Sequence, residues 1–302
     1  MNDTPTTLKA VIDDALALHP DDAPAAVRRL EDGFALLPAA PEQAELFVRS
    51  LEHVLLGHRD DAAAYATALD RLAPAVAGQA AAELAVARGR LAITLLSDPV
   101  AAKASSLPAA ETVRAHYNAA LALTRRSAWP RVQALVQQAG DLAEHSGEPA
   151  AQKALAALTN NIAGDLRYYF GAAHRADAGR VHTMLDAAQR ARAAWERAGG
   201  WMEVERADYQ LALCHAVAGQ GTQAVAHAQA CLQRCEANGA DAYERFFAQE
   251  ALARAHCSAD QPGEARRTRD RMAQLLAEVQ DKDAHAFAAD TLAALDKEFA
   301  LA

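Results

Sequence analysis

Apolar residues recur at three- and four-residue spacing along the whole chain, the period of an amphipathic helix. Around residue 211 the apolar set is Tyr209, Leu211, Leu213 and Val217, with His215 in the same register and Ala207, Ala212 and Ala216 between. It covers more than one face, as in a helix packed on two sides. The next segment carries a narrower stripe: Ala224, Val225, Ala228, Cys231, Leu232 and Cys235. Glycines and prolines punctuate the pattern at Gly57, Gly78, Gly147, Gly199-Gly200, Gly219, Gly239 and Gly263, and at Pro20, Pro38, Pro41, Pro99, Pro108, Pro130, Pro149 and Pro262. Proline belongs in first helical turns and glycine just past helix ends, so cutting there predicts about fourteen helices, most of roughly 13 to 20 residues. The longest is expected to run from about Glu148 to His174.

The segments repeat. His19-Pro20-Asp21-Asp22-Ala23 returns as His58-Arg59-Asp60-Asp61-Ala62, an offset of 39. Aspartate at such a turn can cap the next helix and suits the positive end of its dipole. Near the other end the offset is 41: Leu211-Ala212 matches Leu252-Ala253, His215 matches His256, and Ala224 matches Ala265. Two offsets near 40 fit stacked helical pairs.

Composition narrows the fold class. Of 302 residues 80 are Ala, against 15 Val and 3 Ile, so the chain is rich in helix formers and poor in strand formers. That excludes Rossmann, TIM-barrel and all-β folds, and leaves an all-α chain of antiparallel helical hairpins. A helical array also accommodates this length by growing in one dimension. The expected organisation is a degenerate repeat region over 1–150, then clearer repeats over 151–302 that end in a capping helix from Asp283 to Phe299.

The run Ala207-Asp208-Tyr209-Gln210-Leu211-Ala212, followed by His215, Gly219, Ala224, Ala228 and Cys231-Leu232, resembles a tetratricopeptide repeat. Leu211-Ala212 stand where that repeat has Leu-Gly, His215 where it usually has Tyr, and Gly219 at its turn glycine. Asp208 holds the place of its first-helix Trp, and the closing Pro is absent. Residues 248–272 give a second copy with Asp260 at the turn, and Asn160-Asn161-Ile162-Ala163 looks like the start of a third. The resemblance covers about 155–280. It implies a right-handed superhelix (an α-solenoid) whose concave groove binds a protein or peptide and performs no chemistry. The family's Lys/Arg/Asn set for a terminal carboxylate is not found here.

Such a groove is lined by the first helix of each pair. Mapping by spacing gives Asn160, Gly164, Arg167, Tyr168, Arg206, Tyr209, Leu213, Phe247, Glu250 and Arg254 as the partner-binding residues. The competing reading is that Tyr209, Leu213 and Phe247 pack between repeats, and that Tyr168-Tyr169-Phe170 make an inter-helix contact. His215, His227, Cys231, Cys235, His256 and Cys257 form a Cys/His set without the paired C-x2-C spacing of structural zinc sites, so they read as core and no metal or other cofactor is expected.

The net charge of −9 argues against a nucleic-acid partner. The start of the chain lacks the basic and apolar regions of a signal peptide, and no apolar stretch is long enough to span a membrane. The cysteines do not form a disulfide framework, so the cytoplasm is the expected compartment. H-E-x-x-H, G-x-S-x-G, G-x-x-x-x-G-K-[ST] and G-x-G-x-x-G are all absent. The expectation is a non-enzymatic scaffold or adaptor. The rivals are a small-molecule sensor with a cavity enclosed by the repeats, and a module that forms homo-oligomers.

Overall fold

The computed structural model describes residues 7–96 and 107–300, and over these the chain is all-α with fourteen α-helices. It divides into two compact units, Met1–Ala151 and Gln152–Ala302. The first holds α1 (Leu8–Leu18), α2 (Ala23–Asp32), α3 (Ala44–Glu52), α4 (Ala62–Leu72), α5 (Gly78–Leu96), α6 (Ala109–Arg125) and α7 (Trp129–Ser146). The second holds α8 (Pro149–Tyr168), which starts just before the boundary, then α9 (Ala178–Ala198), α10 (Trp201–Val217), α11 (Gly221–Ala237), α12 (Ala242–Ser258), α13 (Pro262–Leu276) and α14 (Lys282–Phe299). The break expected at Pro99 lies outside the described residues. Among the described residues no helix is long and apolar enough to cross a membrane.

Helices adjacent in sequence pack as pairs: α1 on α2, α6 on α7, α10 on α11, α12 on α13. In the second unit α10 also packs on α12, and α12 on α14, so first helices of successive hairpins stand side by side. These sequential pair contacts are consistent with a helical repeat.

Local chemistry sets the ends. Asp22 accepts from the Ala25 N–H at 2.9 Å, and Asp61, its counterpart 39 residues on, accepts from the Ala64 N–H at 2.9 Å. Each is the N-cap of the helix that follows. The 41-residue repeat is equally literal at its turns. His215 Nδ1 donates to Gln220 Oε1 at 2.7 Å, and His256 Nδ1 donates to Gln261 Oε1 at 2.7 Å. Gly219 and Asp260 both adopt positive φ, 76° and 55°. The histidines thus clip the end of one helix to the residue before the next.

The helix expected from Glu148 to His174 is shorter. α8 stops at Tyr168, Gly171 is extended, and a 3-10 turn fills Ala172–Ala176. Glycine is a poor helix former, and Arg180 Nη2 donates to the Leu166 carbonyl at 2.9 Å, satisfying one of the acceptors left free at that end. Among the described residues the longest helix is α9, with 21 residues.

The first unit's core is built from large side chains, among them Ile12, Leu30, Phe47, Leu51 and Tyr65. A buried ion network crosses it. Arg90, 1% exposed, donates to Glu52 (Nη2 to Oε2, 2.7 Å) and to Glu111 (Nη1 to Oε2, 2.5 Å), and Asn118 donates to Glu52 at 2.7 Å. The second unit relies on small residues instead: Ala212, Ala216, Ala224, Ala228, Ala251 and Ala255 let the helix axes draw close.

Candidate functional site

A cleft of about 540 Å³ lies in the second unit among the end of α8, the turn after it, α10, α12 and α14. Its charged lining is Arg167, Arg175, Glu250, Arg254 and Glu298, and its apolar lining includes Leu213 and Phe299.

Most of that charge is already matched. Glu250, buried on α12, accepts from the Tyr209 hydroxyl at 2.6 Å and from Arg254 Nε at 2.6 Å. Arg254 Nη1 donates to Glu298 Oε2 at 2.6 Å, which ties α12 to α14. Burial acts to lower the Arg254 pKa, but the two carboxylates outweigh it and the guanidinium stays charged. Burial, with Glu250 beside it, drives the Tyr209 hydroxyl well above its ordinary range, so it remains a proton donor.

Two guanidinium groups are different. Arg175 spends Nε on the Val217 carbonyl at 2.9 Å, the last residue of α10, and has no carboxylate partner among the described residues. Arg167 has no carboxylate partner there either, and its buried Nε has no hydrogen-bond partner. Both side chains line the cleft.

Of the residues mapped from the sequence, the structure therefore brings Arg167, Leu213, Glu250 and Arg254 to one cleft, with Tyr209 bonded to Glu250 behind them. Phe247 packs on Tyr209 (ring centroids 6.3 Å) and on Phe287 of α14 (5.8 Å). Leu213 is 2% exposed. Tyr209, Leu213 and Phe247 thus pack between helices. Arg206 is exposed and pairs with Glu244 of α12. Asn160 is half-buried on α8, and Gly164 of the same helix faces the Gln210 amide nitrogen, which a Cβ there would meet at 3.4 Å. Neither Asn160, Gly164, Tyr168 nor Arg206 lines the cleft. Tyr168 and Tyr169 are both exposed, edge to face with centroids 4.9 Å apart.

Sequence mapping missed Arg175, Glu298 and Phe299. Arg175 follows directly on the stretch read as continuous helix. Glu298 and Phe299 sit on the helix read only as a cap, yet α14 lies beside α12 and closes the cleft.

The Cys/His set is packed inside or half-buried. Burial pushes the Cys214 thiol up to about 12. A hydrogen bond with Cys235 and burial raise Cys231 above its ordinary range. His215 and His227 stack at 5.4 Å. Among the described residues, one group of three has ligand atoms close enough to share an ion, within 4.8 Å of one another, and it lies in the first unit: His19, His53 and His58. No protein-family model matches the sequence, and no curated protein matches it.

Proposed function

We propose that the second unit is a non-enzymatic binding module whose cleft takes an anionic segment of a partner protein or peptide. The observation that carries this reading is the pair Arg167 and Arg175, two guanidinium groups facing an open cleft without a carboxylate partner among the described residues. Around them Glu250, Arg254 and Glu298 satisfy one another, so the cleft offers spare donors in a planar fork suited to carboxylate or phosphate. Tyr168 and Tyr169 follow Arg167 directly and offer apolar area with a polar tip, the kind of side chain that anchors interfaces. The side-by-side first helices and the matched turns at 215–220 and 256–261 support a tetratricopeptide-like stacking as the frame for this surface.

A second reading rests on the cleft's size. About 540 Å³ falls within the range of small-ligand sites, so a small anionic compound is the rival occupant.

Fluorescence anisotropy separates the two. Labelled Asp/Glu-rich peptides and their Asn/Gln counterparts are titrated against the full chain and against an Arg167→Ala/Arg175→Ala variant shown by circular dichroism to be helical. Preference for the acidic peptides, lost in the variant, supports the peptide reading. Equal binding of both peptide sets, or unchanged binding by the variant, overturns it. No peptide binding, with thermal stabilisation by small phosphates or dicarboxylates, moves the assignment to the small-ligand reading.

A further inference from the structure

His19 and His58 hold the same place in the 39-residue repeat, each three residues before the aspartate that caps the next helix. Their ring centroids lie 4.5 Å apart. His53 completes the group, 4.9 Å from His19 and 4.6 Å from His58.

The backbone between the last two explains how they meet. In an α-helix, residues five apart point about 140° away from each other around the axis. Residues His53–His58 instead form a π-helical turn, marked by the Arg59 N–H bonding to the Val54 carbonyl at 3.0 Å. The wider turn brings residues five apart onto one face. π-Turns are rare and occur often at functional sites.

The hydrogen bonds around the trio leave a conflict at its centre. His19 Nδ1 donates to the Leu16 carbonyl at 2.5 Å, so His19 Nε2 presents a lone pair. Arg125 Nη2 donates to His58 Nδ1 at 3.0 Å, so the proton of neutral His58 sits on Nε2. His53 Nε2 lies 3.2 Å from His19 Nε2 and 3.1 Å from His58 Nε2. As a donor His53 suits His19 and opposes His58; as an acceptor it does the reverse. No arrangement of neutral tautomers satisfies both contacts while the outer bonds are kept.

We propose that His19, His53 and His58 are a binding site for a zinc-class divalent cation, held by three imidazole Nε2 atoms with the fourth position left to water or a small anion. The spacing fits. Two nitrogens about 2.0–2.1 Å from a tetrahedral zinc are about 3.3–3.4 Å apart, within a few tenths of the two separations here. A cation at the centre also removes the conflict, because all three Nε2 lone pairs then point at it. His19 is already in that tautomer, with the second-shell carbonyl that metal-bound histidines commonly have. The Tyr117 ring lies nearly parallel to His53, with the ring centroids 6.4 Å apart. The remaining adjustment falls on Arg125. His58 must move its proton to Nδ1, so Nη2 releases it while Nη1 keeps its bond to the Gly57 carbonyl at 2.6 Å. Arg125 therefore competes with the ion.

The full chain, stripped with a chelator and dialysed, is titrated calorimetrically with ZnCl2, and with CoCl2 while tetrahedral Co²⁺ absorption is followed. One equivalent is expected. His53→Ala and His19→Gln are each expected to weaken binding by more than about a hundredfold, since an outer-shell partner alone is worth roughly 10–100-fold. Arg125→Met keeps all three ligands and is expected to bind more tightly than wild type, which tests the site even if a histidine variant fails to fold. Absence of Zn²⁺ uptake overturns the proposal. So does uptake that neither folded histidine variant changes, or weaker binding by a folded Arg125→Met variant.

Discussion

Cys231 donates its thiol to Glu205 Oε1 at 2.8 Å, with both side chains sealed in the second unit: Glu205 is 1% exposed and Cys231 0%. The other Glu205 oxygen has no hydrogen-bond partner among the described residues. Burial is the main cause that raises the Glu205 pKa. A carboxyl raised in the folded state contributes most to stability at low pH, and the contribution is lost as pH rises through its folded pKa. Glu205→Gln keeps the shape without the charge. Its thermal midpoint is expected to gain on that of wild type from about pH 5 to about pH 8. A gap that stays constant across that range would show that Glu205 does not titrate there.

Asp208 is fully buried and stays charged. Burial acts to raise its pKa, but hydrogen bonds from His227 and Arg192 outweigh it and the value falls below the ordinary one. Arg192 Nε approaches at 2.6 Å, His227 Nδ1 at 3.4 Å and Arg234 Nη2 at 3.5 Å. Arg192→Met strands much of that charge and is expected to cost about 3 kcal/mol in urea unfolding. Asp208→Leu combined with Arg192→Met removes the stranded charge and is expected to recover most of the loss. A double variant as unstable as the two single losses summed would refute this account.

Gly221 starts α11 against the turn after α12. A Cβ there would sit 2.5 Å from Ala259 Cα, a backbone atom with little room to move. Helix propensity alone makes Gly→Ala favourable by about 0.5–1 kcal/mol. Overpacking of this kind costs about 1–3 kcal/mol, so Gly221→Ala is expected to destabilise the chain. The sign of the change in unfolding free energy decides between the two effects.

The cleft arginines should separate by role. Arg254→Ala leaves the buried Glu250 without its cation and breaks the tie to α14. It is expected to lower stability by about 3 kcal/mol, in the range for one partner removed from a buried pair. Arg167→Ala breaks no ion pair and is expected to fall within about 0.5 kcal/mol of wild type. Equal losses in thermal unfolding would mean that Arg167 is structural too.

Features set by local sequence were the legible ones. Glycine, proline and aspartate mark most helix ends because turn and cap chemistry acts over three or four residues, as at Asp22, Asp61 and Gly219. The 39- and 41-residue offsets survive in the structure as matched caps and matched His–Gln contacts. Features that depend on neighbours across space were not. Spacing places Tyr209, Leu213 and Phe247 on first helices of hairpins, but which helix each faces is set by the pairing of α10 with α12 and α12 with α14. The π-turn at His53–His58 was invisible because its residues, His-Val-Leu-Leu-Gly-His, keep an ordinary apolar pattern. Asp208 stands out at the place of the repeat's Trp, but its burial and that of Glu205 depend on neighbours across space and do not show in the spacing.

The turn after α10 carries its own angle-setting clip, His215 to Gln220, and presents Gly221 to the small Ala259 of the following turn. Ala218 occupies the corresponding place one repeat earlier, so at this turn residues 201–241 have a matching partner at both ends. Copying this segment in tandem after residue 241 would set a Gly221 against an Ala218 at the new turn, but it would also place Tyr209 opposite a second Tyr209 where Glu250 now accepts its hydrogen bond, so the added hairpin would keep its turn contact and lose that one.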